Sequence, residues 1–426
     1  MEPIIIGIIL MAIFIVMALV MGLGKLSPLL AIPIWSILWA LIAGVPFDKV
    51  LIEVVEGGAT AYASTTIMII FATFISHILL KTGIAEDMIR RAAELGGARP
   101  FVTSALLVVV CTVLFTSLYG VGAVMMIGII VLPIMMALGV PNMVATGAYL
   151  LGVTAGFSIN LASWALYVPI TGVKLENLWS FALLVLVLTL VCGILFLGIE
   201  LKRSGIRLRW QAGGPSIKES GKKVPIYAFL APIIPVILFV AFKWPTIPAF
   251  IAAGIYALIT TQLGRSLKDT LDIIMKSIRD AFPDVAYLVA IWTVVGMLIK
   301  ASGLKEVQAV LVPVFSPILP RDHISLIAFF ALLAPLSLYR GPLQIIGTGA
   351  ALAKIMLGTG LLPATMITAA WQGPTNMLRA ADPTVSWVVW TTGYTKVEPI
   401  QYLRKILPYL WVLSAIIAIL AGFIIR

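Results

Sequence analysis

The chain has 426 residues, 61% of them hydrophobic and only 11% charged, with a formal net charge of +11 at pH 7. Soluble domains carry about 25% charged residues, so this composition excludes one, and the apolar runs are too long and uniform for the alternating strands of a membrane barrel. Most of the basic excess sits in loops between apolar segments, where it marks topology and not a nucleic-acid partner.

The first apolar segment, 4–22, follows Glu2 instead of a basic stretch and lacks a small-residue cleavage site, so it reads as a retained helix. A second runs over 27–44, and an amphipathic stretch from Phe47 to Glu56 leads through Gly57-Gly58 into a third at 62–80. After the polar stretch Lys81 to Pro100, the apolar region 101–138 is broken in its middle at Ser117-Leu118-Tyr119-Gly120-Val121-Gly122. The segment 142–168 is interrupted at Gly156-Phe157-Ser158-Ile159-Asn160, where glycine and hydrogen-bonding side chains favour a local break. A helix at 179–199 precedes the basic linker 201–224.

The plan then repeats. Segments at 226–242 and 246–263 precede an amphipathic stretch from Ser266 to Asp284 and a span at 285–300. The region 323–358 is broken at Ser337-Leu338-Tyr339-Arg340-Gly341-Pro342, 220 residues after the first such break. The segment 362–392 carries Gln372-Gly373-Pro374-Thr375-Asn376, read as its interruption, and a final helix covers 405–425. Landmarks kept in order at one offset indicate a duplicated unit, 1–200 and 225–426, in an all-α polytopic membrane protein. Broken apolar regions at membrane depth read as re-entrant hairpins, since freed backbone needs protein or water around it. With five crossings per half the two halves have opposite orientation. One face then holds nineteen Lys and Arg against seven, so the linker is expected in the cytoplasm and both termini outside, in a cell membrane.

Of 29 basic residues, only Arg340, Lys354 and Arg379 fall inside apolar segments. Arg340, at the second tip beside Gly341, matches a carboxylate with two donors and reads as substrate anchor or as a structural partner of Asp382. Arg379, three residues before Asp382, has the same two readings, and Lys354 reads as an interfacial or snorkelling side chain. Ser117, Tyr119 and Ser337 at the tips, with Asn160, Thr375 and Asn376 at the breaks, complete the expected substrate set. Ser158, Asn160 and Asn376, the backbone at Gly156 and Gly373, and the scarce acid Asp382 supply the oxygens expected for a coupling cation. Sodium is favoured over a proton, because titrating side chains at membrane depth are few. Helix-to-helix hydrogen bonding is the alternative role for each of these polar groups. Cys111 and Cys192 lack metal-ligand spacing, there is no Walker-type loop, and no cofactor or enzymatic function is expected.

Two halves that each combine a hairpin with a broken helix resemble the ion transporter superfamily of secondary carriers. The gluconate permease and citrate transporter branches are the most similar, through Ile42-Ala43-Gly44-Val45-Pro46-Phe47-Asp48-Lys49-Val50, Glu56-Gly57-Gly58, Lys81-Thr82-Gly83-Ile84-Ala85-Glu86 and the Tyr119-Gly120 tip. Gly120 stands where the gluconate branch has an acidic residue. The resemblance implies symport of an organic carboxylate, a di- or tricarboxylate or a sugar acid, with Na⁺ or H⁺. It also implies a homodimer whose hairpin-bearing units slide against a fixed scaffold, with the stretches 47–56 and 266–284 as linking arms. The alternatives on the same plan are the membrane subunit of a binding-protein-dependent carrier, an inorganic anion or arsenite exporter, and a channel.

Overall fold

The computed structural model describes residues 2–23, 25–205, 223–264, 266–345 and 347–425, and for Arg340 it describes the backbone alone. Most of the expected linker, with Arg207, Arg209, Lys218 and Lys222, lies outside the described residues, as does the side chain of Arg340. The described residues form helices and turns and no strand. Among the described residues five helices are long and apolar enough to cross a membrane: Pro3–Met21, Phe47–Lys81, Leu175–Arg203, Leu267–Gly303 and Pro399–Ile424. The protein is an all-α polytopic membrane protein. Its outer helix faces carry bare Ile, Leu, Val and Phe, which water would not tolerate in such number and lipid does.

Local chemistry sets many of the boundaries. Pro3, Pro28, Pro100 and Pro399 each open a helix, where a missing N–H costs nothing. Gly83, at φ 85°, turns the chain from the span Ala63–Lys81 into the amphipathic helix Ile84–Gly96. That helix buries Ile84, Met88 and Ile89 and with them Asp87, whose carboxylate accepts from Arg90, Arg91 and the Val224 N–H. Burial pushes the Asp87 carboxyl up, but the bonds from Arg90, Val224 and Arg91 outweigh it and hold the carboxyl below its ordinary range. Such a lowered group stabilises the fold above its unfolded pKa and ceases to as pH falls through the folded one. Asp87→Asn should therefore melt lower than wild type at pH 7, and the gap should narrow below about pH 4.

The repeat is visible element by element. Phe47–Lys81 and Leu267–Gly303 begin 220 residues apart and pack against each other, as do the helices that follow them, Ile84–Gly96 and Lys305–Phe315, against the hairpins. The stretches expected as separate linking arms are continuous with these spans. Residues 266–284 open one 37-residue helix, about 55 Å long, and 47–56 lead through a wide turn at Val50–Glu56 into Gly57–Thr60. The two long elements touch backbone to backbone at Gly58 and Gly296. A Cβ on Gly296 would lie 2.1 Å from the Gly58 carbonyl oxygen, and one on Gly58 2.4 Å from Met297 Cα. Gly296→Ala should lower Tm, at a cost of about 1–3 kcal/mol, because rigid backbone and not a side-chain tip must give way.

The hairpin arms are short. Pro100–Phe115 has 16 residues, Val121–Ala137 has 17, and His323–Leu333 and Thr348–Gly358 have 11 each, against about 20 for a full crossing. Asn142–Phe157 and Leu161–Thr171 meet at a 66° bend over Ser158–Asn160. In the second half the interruption expected at Gln372–Asn376 is helical instead. Helix Gln372–Ala381 follows Ala364–Ala370 across one residue, Trp371, and that reset places Pro374 in a first turn, where its missing N–H has no intrahelical partner. The break falls at Asp382, extended at ψ 118° before Pro383 and followed by Ser386–Tyr394. Asn160, with φ −68° and ψ 124°, is thus the counterpart of Asp382 and not of Asn376.

Candidate functional site

The first hairpin tip is fixed by hydrogen bonds from both halves. Gly120 reverses the chain at φ 103°, the Tyr119 N–H donates to Ser76 Oγ at 3.0 Å, and the Thr116 hydroxyl donates to the Pro232 carbonyl at 3.1 Å. Ser117 donates to the same carbonyl. The broken segment beside the tip is tied to it by one side chain. Asn160 Nδ2 donates to the carbonyls of Phe115 at 3.0 Å and Leu118 at 3.1 Å, while its Oδ1 accepts from the Ser163 N–H at 3.1 Å. All these groups are buried, so each unmade bond would cost about 1–3 kcal/mol. Turn Leu161–Ala165 is therefore held at a set angle, with Ser163 directed toward the second half.

What meets it there is Arg379, in the last turn of Gln372–Ala381 and only 5% exposed. Its Nη2 donates to Ser163 Oγ, and its guanidinium lies 5.8 Å from the centre of the Phe157 ring. Phe157 in turn packs against Tyr119 at 5.4 Å and Trp387 at 5.8 Å, and Trp387 Nε1 donates to the Arg379 carbonyl. Tyr167 donates from its hydroxyl to Thr375 Oγ1 at 2.8 Å, one helical turn from Arg379. Tyr119 and Tyr167 both lie within electrostatic reach of the guanidinium. Among the described residues Arg379 has no carboxylate within 4 Å, and its Nη1 is buried without a hydrogen-bond partner. The expected alternative, an ion pair with Asp382, is not formed: Asp382 Oδ1 accepts from the N–H and the hydroxyl of Thr384, both at 2.8 Å. A buried, half-satisfied guanidinium is costly unless an anion completes it.

The remaining expected residues are placed as follows. Thr375 and Tyr119 line this cluster, with Phe157, Ser163 and Tyr167, which the sequence did not single out. Ser163 and Tyr167 were legible only as neighbours of the first break. Asn376 donates to Thr189 Oγ1 at 3.0 Å and leaves its buried Oδ1 without a partner. Ser337 Oγ is likewise buried and unpartnered among the described residues. At the second tip Tyr339 is left-handed at φ 53°, and the Gly341 carbonyl accepts from Thr348 at 2.6 Å, while a Cβ on Gly341 would lie 2.1 Å from the Leu336 carbonyl oxygen. Gly156 and Gly373 serve close packing: a Cβ would lie 2.5 Å from the Thr112 carbonyl oxygen or 2.4 Å from Ser414 Oγ. Ser158 returns its hydroxyl to the Thr154 carbonyl and accepts Trp164 Nε1 on its own. Lys354 is half-buried within Thr348–Gly358, an arm of the second hairpin. No cluster of three or more His, Cys, Asp or Glu among the described residues would hold a metal ion.

A cleft of about 420 Å³ reaches the opposite side of the turn, lined by Leu161, Trp164 and Ala165, with Lys174 and Lys243 also on its wall. Trp164, on the wall of the cleft, stands 5.3 Å from Tyr167 of the cluster around Arg379.

No family model matches the chain, and no curated protein sequence is significantly similar to it. Among solved structures it is similar to the crystal structure of the Alcanivorax borkumensis YdaH transporter, described as having an unusual topology. The match has a TM-score of 0.63 at 14% identity, over 93% of this chain and 98% of that one. The two chains share a fold. At this identity the likeness speaks for the fold along nearly the whole chain, and the chemistry rests on the residues described above.

Proposed function

We propose that the protein is a membrane transporter, a secondary carrier of organic carboxylates, and that Arg379 takes the carboxylate. The observation that carries this reading is the buried guanidinium with an orphaned Nη1 and, among the described residues, no carboxylate within 4 Å, placed where a helix of one half meets the hairpin and broken helix of the other. Tyr119, Tyr167, Thr375 and Ser163 bring hydroxyl groups around it, enough to orient an oxygen-rich anion. The fold shared with a transporter supports transport over a structural role. Arms too short to cross support re-entrant hairpins and, with them, halves of opposite orientation. Movement of the hairpin units against the long helices would carry the site between faces, in a chain that pairs as a dimer.

The test is a thermal-shift screen of the purified protein against succinate, citrate and gluconate, with and without Na⁺. A ligand at about 100 times its Kd stabilises by about 2.7 kcal/mol. A rise in Tm with at least one acid, followed by its uptake into proteoliposomes holding this chain alone, is expected. No shift with any acid, or a shift that survives loss of Arg379, would remove the proposal.

A further inference from the structure

Beneath the first hairpin lies a second polar pair that plays no part in holding the anion. His77, near the end of Ala63–Lys81, points its Nε2 at Asp284 Oδ2, 2.9 Å away on the 37-residue helix. The His77 side chain is 6% exposed and its Nδ1 is buried without a partner, while Asp284 keeps 22% exposure. The carboxylate fills the space beside Gly122, in the first turn of Val121–Ala137: a Cβ there would fall 1.9 Å from Asp284 Oδ2. A carboxylate in that place faces the positive end of the second hairpin arm.

The charged groups around the pair are few. On the long helix Asp280 binds Lys81 of the His77 helix, with Arg279 beside it. The amphipathic helix Ile84–Gly96 commits Asp87 to Arg90 and Arg91, Tyr256 of the neighbouring Thr246–Gln262 donates to the Tyr227 carbonyl, and Val121–Ala137 has no charged residue. Asp280, one helical turn before Asp284, also lies within electrostatic reach of His77, and it is held by Lys81.

We propose that His77 and Asp284 form a proton-binding site, and that its proton is the coupling ion of the carrier. This rests on the carboxylate-carrier reading above and names the ion for it. With neutral His77 the pair carries one negative charge at the arm's N-terminus. One proton, bound at the free imidazole nitrogen, makes the pair neutral overall and weakens its hold on the arm. The link to the anion is continuous: Ser76, adjacent to His77, accepts from the Tyr119 N–H at the tip, Tyr119 packs on Phe157, and Phe157 lies under Arg379. Imidazole is the side chain whose ordinary range spans physiological pH, which suits it to carry a proton.

The chain has two histidines, His77 and His323, which makes the site directly observable. Protein labelled with ¹⁵N-histidine is titrated by NMR, with His323→Gln to assign the signals. The protonation of His77 is followed from about pH 5 to 8 in wild type and in Asp284→Asn, and a bound proton whose release depends on that carboxylate is the expected result. A His77 that keeps one protonation state over this range, or a midpoint that ignores Asp284→Asn, overturns the proton site whatever the anion does. Binding of succinate is then measured from pH 6.5 to 8.5, where it is ionised. Its Kd should change about tenfold in wild type and stay flat in His77→Gln, since coupling is reciprocal. A succinate Kd equally pH-dependent in His77→Gln overturns the coupling while leaving the carboxylate reading in place. If no acid binds at all, the carboxylate reading fails and the NMR titration alone decides the site.

Discussion

Arg379→Met should abolish the thermal shift and uptake of every organic acid that the wild type recognises, without lowering the stability of the empty protein. Removing one partner of a desolvated charge pair costs about 2–5 kcal/mol in binding, roughly 30-fold to several thousand-fold in Kd. The stability half of the prediction has the opposite sign for a physical reason. In the empty protein the guanidinium is 5% exposed, one of its nitrogens is orphaned, and no carboxylate is present to offset its desolvation. A flexible apolar side chain of similar length removes that cost and keeps contact with Phe157, so Tm of the unliganded protein should hold or rise. Arg379→Lys separates charge from shape: it keeps the charge but lacks the planar fork, and should lose at least about tenfold in affinity. A fall in Tm equal to that of a core truncation, with acid binding intact, would show that Arg379 is structural.

Asn160→Ala should destabilise the protein by about 3–5 kcal/mol and leave any response to Na⁺ unchanged. Asn160 was expected among both substrate and cation ligands, but its two donors and its carbonyl are already engaged with Phe115, Leu118 and Ser163. Alanine leaves two carbonyls and one N–H unsatisfied in a buried place, and each costs about 1–3 kcal/mol. The same change frees the turn that presents Ser163 to Arg379. Affinity for the acid should therefore fall alongside Tm, whereas loss at a ligand oxygen would lower affinity alone. Asn160→Asp replaces the amide donor with a second acceptor facing two carbonyls and should be worse than alanine. Melting temperature and acid affinity measured on both variants check this.

The two arginines show how far a linear reading reaches. Arg340 and Arg379 were singled out on the same ground, a guanidinium inside an apolar run, with substrate contact or a pairing with Asp382 as readings of each. Only packing separates substrate from ion pair for Arg379: Asp382 turns to Thr384, and Phe157 and Ser163 arrive from more than 200 residues away. His77 and Asp284 were passed over entirely, since a single histidine near the end of a span and an acid after Pro283 carry no local pattern, and they meet across 207 residues.

Membrane residence and the all-helical class were determined by the chain itself. They follow from local quantities, hydrophobic run length and glycine and proline punctuation, each of which acts within a few residues. The second break was misplaced to Gln372–Asn376 because proline and glycine suit a helix's first turn as well as a true end, and only the reset at Trp371 tells the two apart. Which polar groups are left unsatisfied was decided by the tertiary structure alone. A hydrogen bond takes its partner from wherever the fold brings one, so vacancy at Arg379 and commitment at Asn160 are properties of the assembled protein and not of either residue's neighbours in the chain.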